Sequence, residues 1–199
     1  MIEALVISNI VLWVLVVALS ALVLALLRQV GVLHERIAPA GALAHAASLE
    51  VGDPAPHIEV QTWNGAPLVV GAPDAEGLAT LLLFVSPTCP VCKTLLPIAE
   101  ATVAAEGSTR LVLASDGSRA EHEAWVYARR LDRYGYLLSA PLGVAYGVAK
   151  LPHAVLIGVD GRIRARGLVN TREHLESLFE AQARGVASIQ DYMAAQRVA

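Results

Sequence analysis

The chain has 199 residues, of which 55% are apolar and 17% charged, with a formal net charge of −3. That length holds one soluble domain and one further element. The charge balance excludes a basic nucleic-acid footprint, the apolar content excludes disorder over most of the chain, and two cysteines exclude a disulfide-rich scaffold.

The apolar excess is local. Residues 4–27 carry no charge, and at ~1.5 Å per residue a helix of that length reaches about 36 Å, against a hydrocarbon core of about 30 Å. A single run of this kind excludes a multi-span transporter. A cleaved signal peptide wants a basic start and an apolar stretch of about 7–15 residues. Met1-Ile2-Glu3 has no Lys or Arg, the run is too long, and the A-x-A-like Ala42-Leu43-Ala44 lies far beyond it. Residues 1–28 therefore read as an uncleaved transmembrane anchor, with 4–27 in the lipid bilayer. A buried core helix is the other use of such a run, but the remaining domain is too small to cover it on every face. Arg28 and Arg36 follow the span, and the positive-inside rule applied to them leans the C-terminal side toward the cytoplasm.

Residues 29–48 are Ala-rich with Gly31, Pro39 and Gly41, and read as a linker, its first part able to extend the helix. The breaker run Gly52-Asp53-Pro54-Ala55-Pro56 then opens a domain over 49–184. Strands are predicted at 58–62 and 67–70 about the hairpin signal Asn64-Gly65. The continuous apolar stretch 79–85 predicts a central strand buried on both faces. A helix over 89–106 follows, then a strand at 110–114 and a helix over 119–131 capped by Ser118. A short strand at 136–138, a helical turn at 142–147 and a third apolar strand at 154–159 come next. Asp160-Gly161 turns the chain into a strand at 163–166, and Thr171 caps a helix over 172–184. A last helix, 189–197, is predicted within the C-terminal segment 185–199. Alternating helices and strands with a closing hairpin predict an α/β fold, a mixed sheet flanked by helices.

Both cysteines fall in Cys89-Pro90-Val91-Cys92, directly after the buried strand and at the opening of a helix. Positions i and i+3 on a helix have Cβ atoms about 5–6 Å apart, within disulfide reach after little backbone movement. Unpaired N–H groups and the helix dipole favour an anion at the first turn, and a thiol there can fall from about 8.5 into the range of about 3.5–7.5. Pro90 suits the first helical position, where its missing N–H would be unpaired anyway. Cys89 is thus expected to exchange with a client, and Cys92, one turn further in, to resolve the mixed disulfide. Lys93 adds a nearby charge directed to solvent. The other uses of the pair fit less well. Zinc wants four ligands and no second C-x-x-C or paired His motif exists. Inert buried thiols do not account for the strand–C-x-x-C–helix context. A purely structural i, i+3 disulfide closes too short a loop to stabilise much.

The stretch Cys89-Pro90-Val91-Cys92-Lys93-Thr94-Leu95-Leu96-Pro97 resembles the C-x-x-C-K-x-x-x-P of the thioredoxin superfamily. Val51-Gly52-Asp53-Pro54-Ala55-Pro56 resembles the entry segment of its peroxiredoxin and TlpA-like branch. Tyr146-Gly147-Val148 through Leu151-Pro152, with 154–163 after it, resembles that branch's cis-proline loop and closing hairpin. Over its whole length, anchor and Ser86-Pro87-Thr88 included, the chain is similar to the MauD family of methylamine utilisation proteins. The resemblance implies a thioredoxin-like domain, dithiol–disulfide exchange by Cys89 and Cys92, and Pro152 as the cis-proline, which with Leu151 offers backbone to a substrate strand. It implies no cofactor and no metal. It implies as client the small subunit of methylamine dehydrogenase, whose disulfides would be formed or reshuffled, and a membrane redox partner that recycles the dithiol. It places the domain in the periplasm, on a single-pass anchor in the inner membrane. Two arginines weigh less than that likeness, because bacterial disulfides persist in the periplasm.

The resemblance leaves two other activities open. One is a TlpA-like thiol reductant for cytochrome c assembly. The other is a copper-binding chaperone on the same fold, which usually has C-x-x-x-C and a distant His. A peroxidase lacks support, since the Pro-x-x-x-Thr-x-x-Cys pattern is absent. Three positions depart from thioredoxins. Thr88 stands where they have Trp. Leu83, six residues before Cys89, takes the place of their buried acid, so a proton on Cys92 must use another group or water. His153 stands where many relatives carry Thr, and either titrates near the thiols at about 6.5 or simply packs. Glu121-His122-Glu123 reads as a solvated stretch, because neighbours in sequence do not share a helix face. His45 and His174 read as tether and surface residues. Trp125 and Tyr127 read as core and rim, Trp63 as packing on the hairpin, and Ile189, Tyr192 and Met193 as one face of the last helix.

Overall fold

A computed structural model describes residues 2–36 and 49–184. The predicted helix at 189–197 and the linker stretch 37–48 lie outside the described residues. The chain divides into an N-terminal unit and a separate domain.

The N-terminal unit is one helix, α1 (Ile2–Arg36), which at ~1.5 Å per residue is about 50 Å long. It runs past Leu27 into the stretch read as linker. Val6–Val23 is long and apolar enough to cross a membrane, and none of it is buried in protein. Ser20, one of its few polar residues, donates its hydroxyl to the Val16 carbonyl at 2.8 Å. That bond pairs the Ser20 hydroxyl within its own helix, as a setting without water would require.

The domain contains β1 (Ile58–Gln61), β2 (Pro67–Val70), β3 (Ala79–Phe84), α2 (Pro90–Glu106), β4 (Thr109–Ser115) and α3 (Arg119–Arg129). A 3₁₀ turn (Leu131–Tyr134), β5 (Leu137–Leu138), α4 (Ala140–Ala145), β6 (His153–Ile157), β7 (Ile163–Leu168) and α5 (Arg172–Arg184) follow. The main sheet has the order β5-β4-β3-β6-β7. β3 is parallel to β4 and antiparallel to β6; β4 and β5 are parallel, and β6 and β7 form the closing antiparallel hairpin. β1 and β2 make a separate two-stranded sheet about the Asn64-Gly65 turn.

β3 sits at the centre, which is why its residues are apolar without alternation. Leu81, Leu83 and Val85 face one core layer with Cys92, Leu95, Leu96 and Tyr136; Leu82 and Phe84 face the other with Val155 and Tyr146. α2 and α5 cover the first face through Leu95, Ala99, Leu175 and Leu178, and α4 and the β1–β2 hairpin cover the second. Truncating a side chain such as the fully buried Leu83 to Ala costs about 2–5 kcal/mol.

Several boundaries differ from expectation for local reasons. α3 stops at Arg129, because Arg130 takes φ 53° in the left-handed region and the chain continues as the 3₁₀ turn. β7 runs on to Leu168, paired with His153 across the hairpin. Trp63 packs in the core rather than only on the hairpin, edge-on to Tyr136 at 6.0 Å, with the Arg119 guanidinium 3.9 Å over its ring.

The end of β2 is held by a close backbone approach. Gly71 has φ +87°, and a Cβ there would lie 2.3 Å from the Pro56 carbonyl oxygen, the same oxygen that accepts from the Tyr146 hydroxyl at 3.0 Å. Gly65 has φ +84° but open space around its Cβ position. Gly71→Ala is expected to destabilise the domain by about 2 kcal/mol or more, combining positive φ with a backbone clash, and Gly65→Ala by about 1 kcal/mol from φ alone. Urea denaturation of the full chain in detergent measures both; equal costs would mean the approach at Pro56 yields freely.

Candidate active site

The two cysteines stand where the central strand hands over to α2. Val85 extends β3: its N–H donates to the Ala114 carbonyl at 2.9 Å, and its carbonyl accepts from the Ser115 hydroxyl at 2.7 Å. The loop Ser86-Pro87-Thr88 is tightened by Ser86 and Thr88 hydroxyls 2.9 Å apart and by the Cys89 N–H donating to the Ser86 carbonyl at 3.1 Å. Cys89 is then the N-cap of α2, with φ −86° and ψ 113°, and Pro90 opens the helix. A cap side chain normally accepts from the exposed N–H groups of the first turn. Here the acceptor is sulfur: the Cys92 N–H donates to Cys89 Sγ at 3.2 Å. Pro97, inside α2, removes one helix donor further on.

The two sulfurs are unbonded and differ in access. Cys89 is partly exposed and Cys92 is fully buried. Burial pushes the Cys92 thiol up to about 12, and the hydrogen bond and charge of neighbouring Cys89 push the same way, against a weaker backbone hydrogen bond at Ser86. At neutral pH Cys92 therefore keeps its proton. Lys93 is exposed, and Val91 and Leu151 are partly open to solvent at the same end of the domain.

The Leu151–Pro152 peptide is cis. β3 and β6 pair with Phe84 opposite His153, so Pro152 falls in register beside Val85, four residues before Cys89. The Pro152 carbonyl accepts from the Val169 N–H at 3.1 Å, which ties the loop to the end of β7. An open groove of about 280 Å³ lies at this end of the sheet, lined by Val85, Asp116, Ser139, Val144, Val148 and Leu151 among others.

His153 does not serve the thiols. As the partner of Phe84 it lies on the sheet face opposite Leu83 and Cys92. Burial, helped by the Arg166 guanidinium, pushes its pKa down to about 4, and its Nε2 has no hydrogen-bond partner. It is a neutral packing residue near pH 7. Glu121-His122-Glu123 also departs from the expected solvated stretch. Glu121 and Glu123 are exposed, but His122 is buried between them on the Val126 face of α3. Its Nδ1 meets the Tyr136 hydroxyl at 2.7 Å and its Nε2 the Asp116 carbonyl at 2.8 Å. The i, i+4 spacing of His122 and Val126 was the sequence signal for that burial. His174 is exposed, Trp125 is partly buried and Tyr127 exposed, while His45 lies outside the described residues. Among the described residues no cluster of three or more His, Cys, Asp or Glu side chains could hold a metal.

The state of His153 sets a pH dependence. Its folded pKa lies below the ordinary value near 6.5, so between about pH 6.5 and pH 4 the unfolded chain binds a proton that the folded one refuses. This contribution to stability is complete above pH 6.5 and falls as pH drops to about 4, by on the order of 3 kcal/mol in all. His153→Leu is expected to flatten the urea midpoint across that window. Unchanged slopes in the variant would contradict a neutral, buried His153.

No family model matches the chain. A methylamine utilization protein MauD from Paracoccus denitrificans is 44% identical over 190 residues, covering 96% of this chain and 94% of that one. MauD from Methylorubrum extorquens is 43% identical over 195 residues, covering 98% and 95%. Among solved structures, the thioredoxin domain of a thiol-disulfide oxidoreductase from Bacteroides vulgatus superposes with a TM-score of 0.55 at 21% identity, over 67% of this chain and 98% of that one. The domain thus has a thioredoxin-like fold, and the near full-length likeness at over 40% identity shows that the chain belongs to the MauD family of methylamine utilization proteins.

Proposed function

We propose that the chain is a membrane-anchored thiol–disulfide oxidoreductase that forms or reshuffles the disulfides of the methylamine dehydrogenase small subunit. The observation that carries the exchange chemistry is the pairing of an accessible sulfur, held as the cap of α2, with a sealed sulfur one turn along. The names of the MauD relatives support the setting in methylamine utilization. The apolar, unburied stretch Val6–Val23 supports the single-pass anchor. Placement of the domain on the periplasmic side of the inner membrane follows from where bacterial disulfides persist.

The exchange runs through a mixed disulfide. In the reducing direction, Cys89 Sγ as thiolate attacks a client disulfide; a Cys89–client S–S bond forms and the client's other sulfur leaves with the electron pair. Cys92 then loses its proton and attacks Cys89 Sγ, forming the Cys89–Cys92 disulfide and releasing the second client thiolate. The client is reduced by two electrons and the chain is oxidised by two. Run backwards, the same steps oxidise a client dithiol, and a membrane redox partner restores the starting state in either case. Leu151, Pro152 and the groove beside them offer the client backbone and apolar side chains a seat, in the manner of an added strand. No cofactor or metal takes part in these steps.

Cys92→Ser leaves Cys89 able to form the mixed disulfide and unable to release it. Expressed in cells that make methylamine dehydrogenase, this variant is expected to trap its small subunit through Cys89, and Cys89→Ser to trap nothing. Capture of apocytochromes in its place would assign the chain to cytochrome c assembly. A C-terminal reporter active only in the cytoplasm is expected to stay silent; signal from it would refute the periplasmic placement.

A further inference from the structure

One side of α1 carries a regular order. Leucine recurs at every seventh residue, at Leu5, Leu12, Leu19, Leu26 and Leu33. Three residues before each leucine stand Ile2, Asn9, Val16, Val23 and Val30, a second row that is β-branched except at Asn9. Both rows lie within the helix Ile2–Arg36. Their steps alternate between three and four residues, about 3.5 on average, so the two rows run side by side as one narrow seam. Lipid alone does not account for this order. Hydrocarbon accepts Leu, Val and Ile at any position, and beside the seam they are not sorted: Leu15 and Leu22 share a row with Ser8 and Gln29. Nor does the seam stop with the span. Arg28, Gln29, His34, Glu35 and Arg36 all fall outside the two rows, which continue between them as Val30 and Leu33. Within the span Leu12, Val16, Leu19 and Val23 are exposed, and none of Val6–Val23 is buried in protein. Asn9 is the one carboxamide in the uncharged stretch 4–27. Its side chain is exposed and has no hydrogen-bond partner among the described residues, a costly state in hydrocarbon.

We propose that α1 pairs with the α1 of a second copy of this chain as a parallel two-stranded coiled coil, with the two rows as its seam and Asn9 fixing its register. The proposal rests on the membrane-anchor reading above and not on the exchange chemistry. The pattern itself names the occupant. β-Branched residues in one core row and leucine in the other favour two parallel strands, and a strict seven-residue repeat winds such helices left-handed about each other. Two copies inserted the same way in one membrane are parallel without further cost. Each row then faces itself across the pair, so the two Asn9 side chains meet, and an amide N–H of one donates to the carbonyl oxygen of the other. A lone polar residue in such a row sets register and strand number. Any shifted register sets Asn9 against Val or Leu and leaves its amide unpaired. Inside the bilayer the lipid tails are as apolar as leucine, so side-chain packing and the Asn9 hydrogen bond hold the pair. Beyond Arg28 the seam meets water, and burial of Val30 and Leu33 adds to it. The pair carries two exchange domains on one anchor.

The test uses the full chain in bacterial membranes, with Cys89→Ser and Cys92→Ser so that only an introduced cysteine can cross-link, and copper phenanthroline as oxidant. Leu12→Cys, Val16→Cys, Leu19→Cys and Val23→Cys are each expected to give a disulfide-linked dimer. Val14→Cys, Ala18→Cys and Ala21→Cys, on the far side of the helix, are expected to give less by about fivefold or more. Sedimentation equilibrium of the reduced full chain in detergent is expected to show a dimer, and Asn9→Val to raise its dissociation constant by about threefold to tenfold, the range of an interhelical hydrogen bond. Cross-links spread evenly round the helix, or strongest at Val14 and Ala21, would overturn the pairing. So would a product joining the chain to a protein of another mass. A dissociation constant unchanged by Asn9→Val would overturn the part given to Asn9. An alkaline carbonate wash separates this proposal from the reading beneath it. A chain released by the wash would overturn the anchor and the pair together, whereas a chain that stays in the membrane without cross-linking along the seam would overturn the pair alone.

Discussion

The hydrogen bond from the Cys92 N–H to Cys89 Sγ is the contact on which the site depends. It makes one cysteine the cap of the other's helix, so a single turn of α2 sets both the separation of the sulfurs and their unequal surroundings. The cap faces solvent and the positive end of a helix dipole, which favours negative charge. The residue three positions on turns into the core and keeps its proton. A Ser in the cap position would satisfy the helix equally well; sulfur adds the ability to exchange.

The sheet supplies the rest by register. β3 is buried on both faces, and its alternation sorts the neighbours of the site into two layers. Leu83 and Cys92 share one with Tyr136, while Phe84 and His153 share the other. The same pairing sets the cis Leu151–Pro152 bond beside Val85, at the end of the strand from which the Cys89 loop departs. Arg166 closes the opposite layer, donating to the Leu49 and Tyr146 carbonyls at 2.8 and 2.9 Å, so the entry segment is tied to the hairpin that carries Pro152.

Much of this was legible in the sequence. The apolar run 79–85 followed by Cys89-Pro90-Val91-Cys92 specifies a central strand feeding a capped helix, because both signals are local. Asn64-Gly65 and Asp160-Gly161 marked their turns for the same reason. What escaped was set by tertiary pairing. His122 reads as solvated between two glutamates; its i, i+4 spacing to Val126 marks the buried face, but its partner Tyr136 lies fourteen residues on and is brought to it by tertiary packing. His153 sits next to Pro152 in sequence and yet on the wrong face for the thiols, since the face is fixed by a register between strands 69 residues apart at Phe84 and His153. The early end of α3 turned on one residue, Arg130, adopting a positive φ that its side chain does not announce.

The inequality of the two sulfurs is measured most directly by alkylation. The reduced full chain, treated with iodoacetamide near neutral pH and mapped by mass spectrometry, should be modified at Cys89 well before Cys92, with Cys92 reacting only after unfolding. Equal rates at the two positions, or a Cys89 no faster than a thiol in the unfolded chain, would contradict a site built from one accessible sulfur and one sealed behind it.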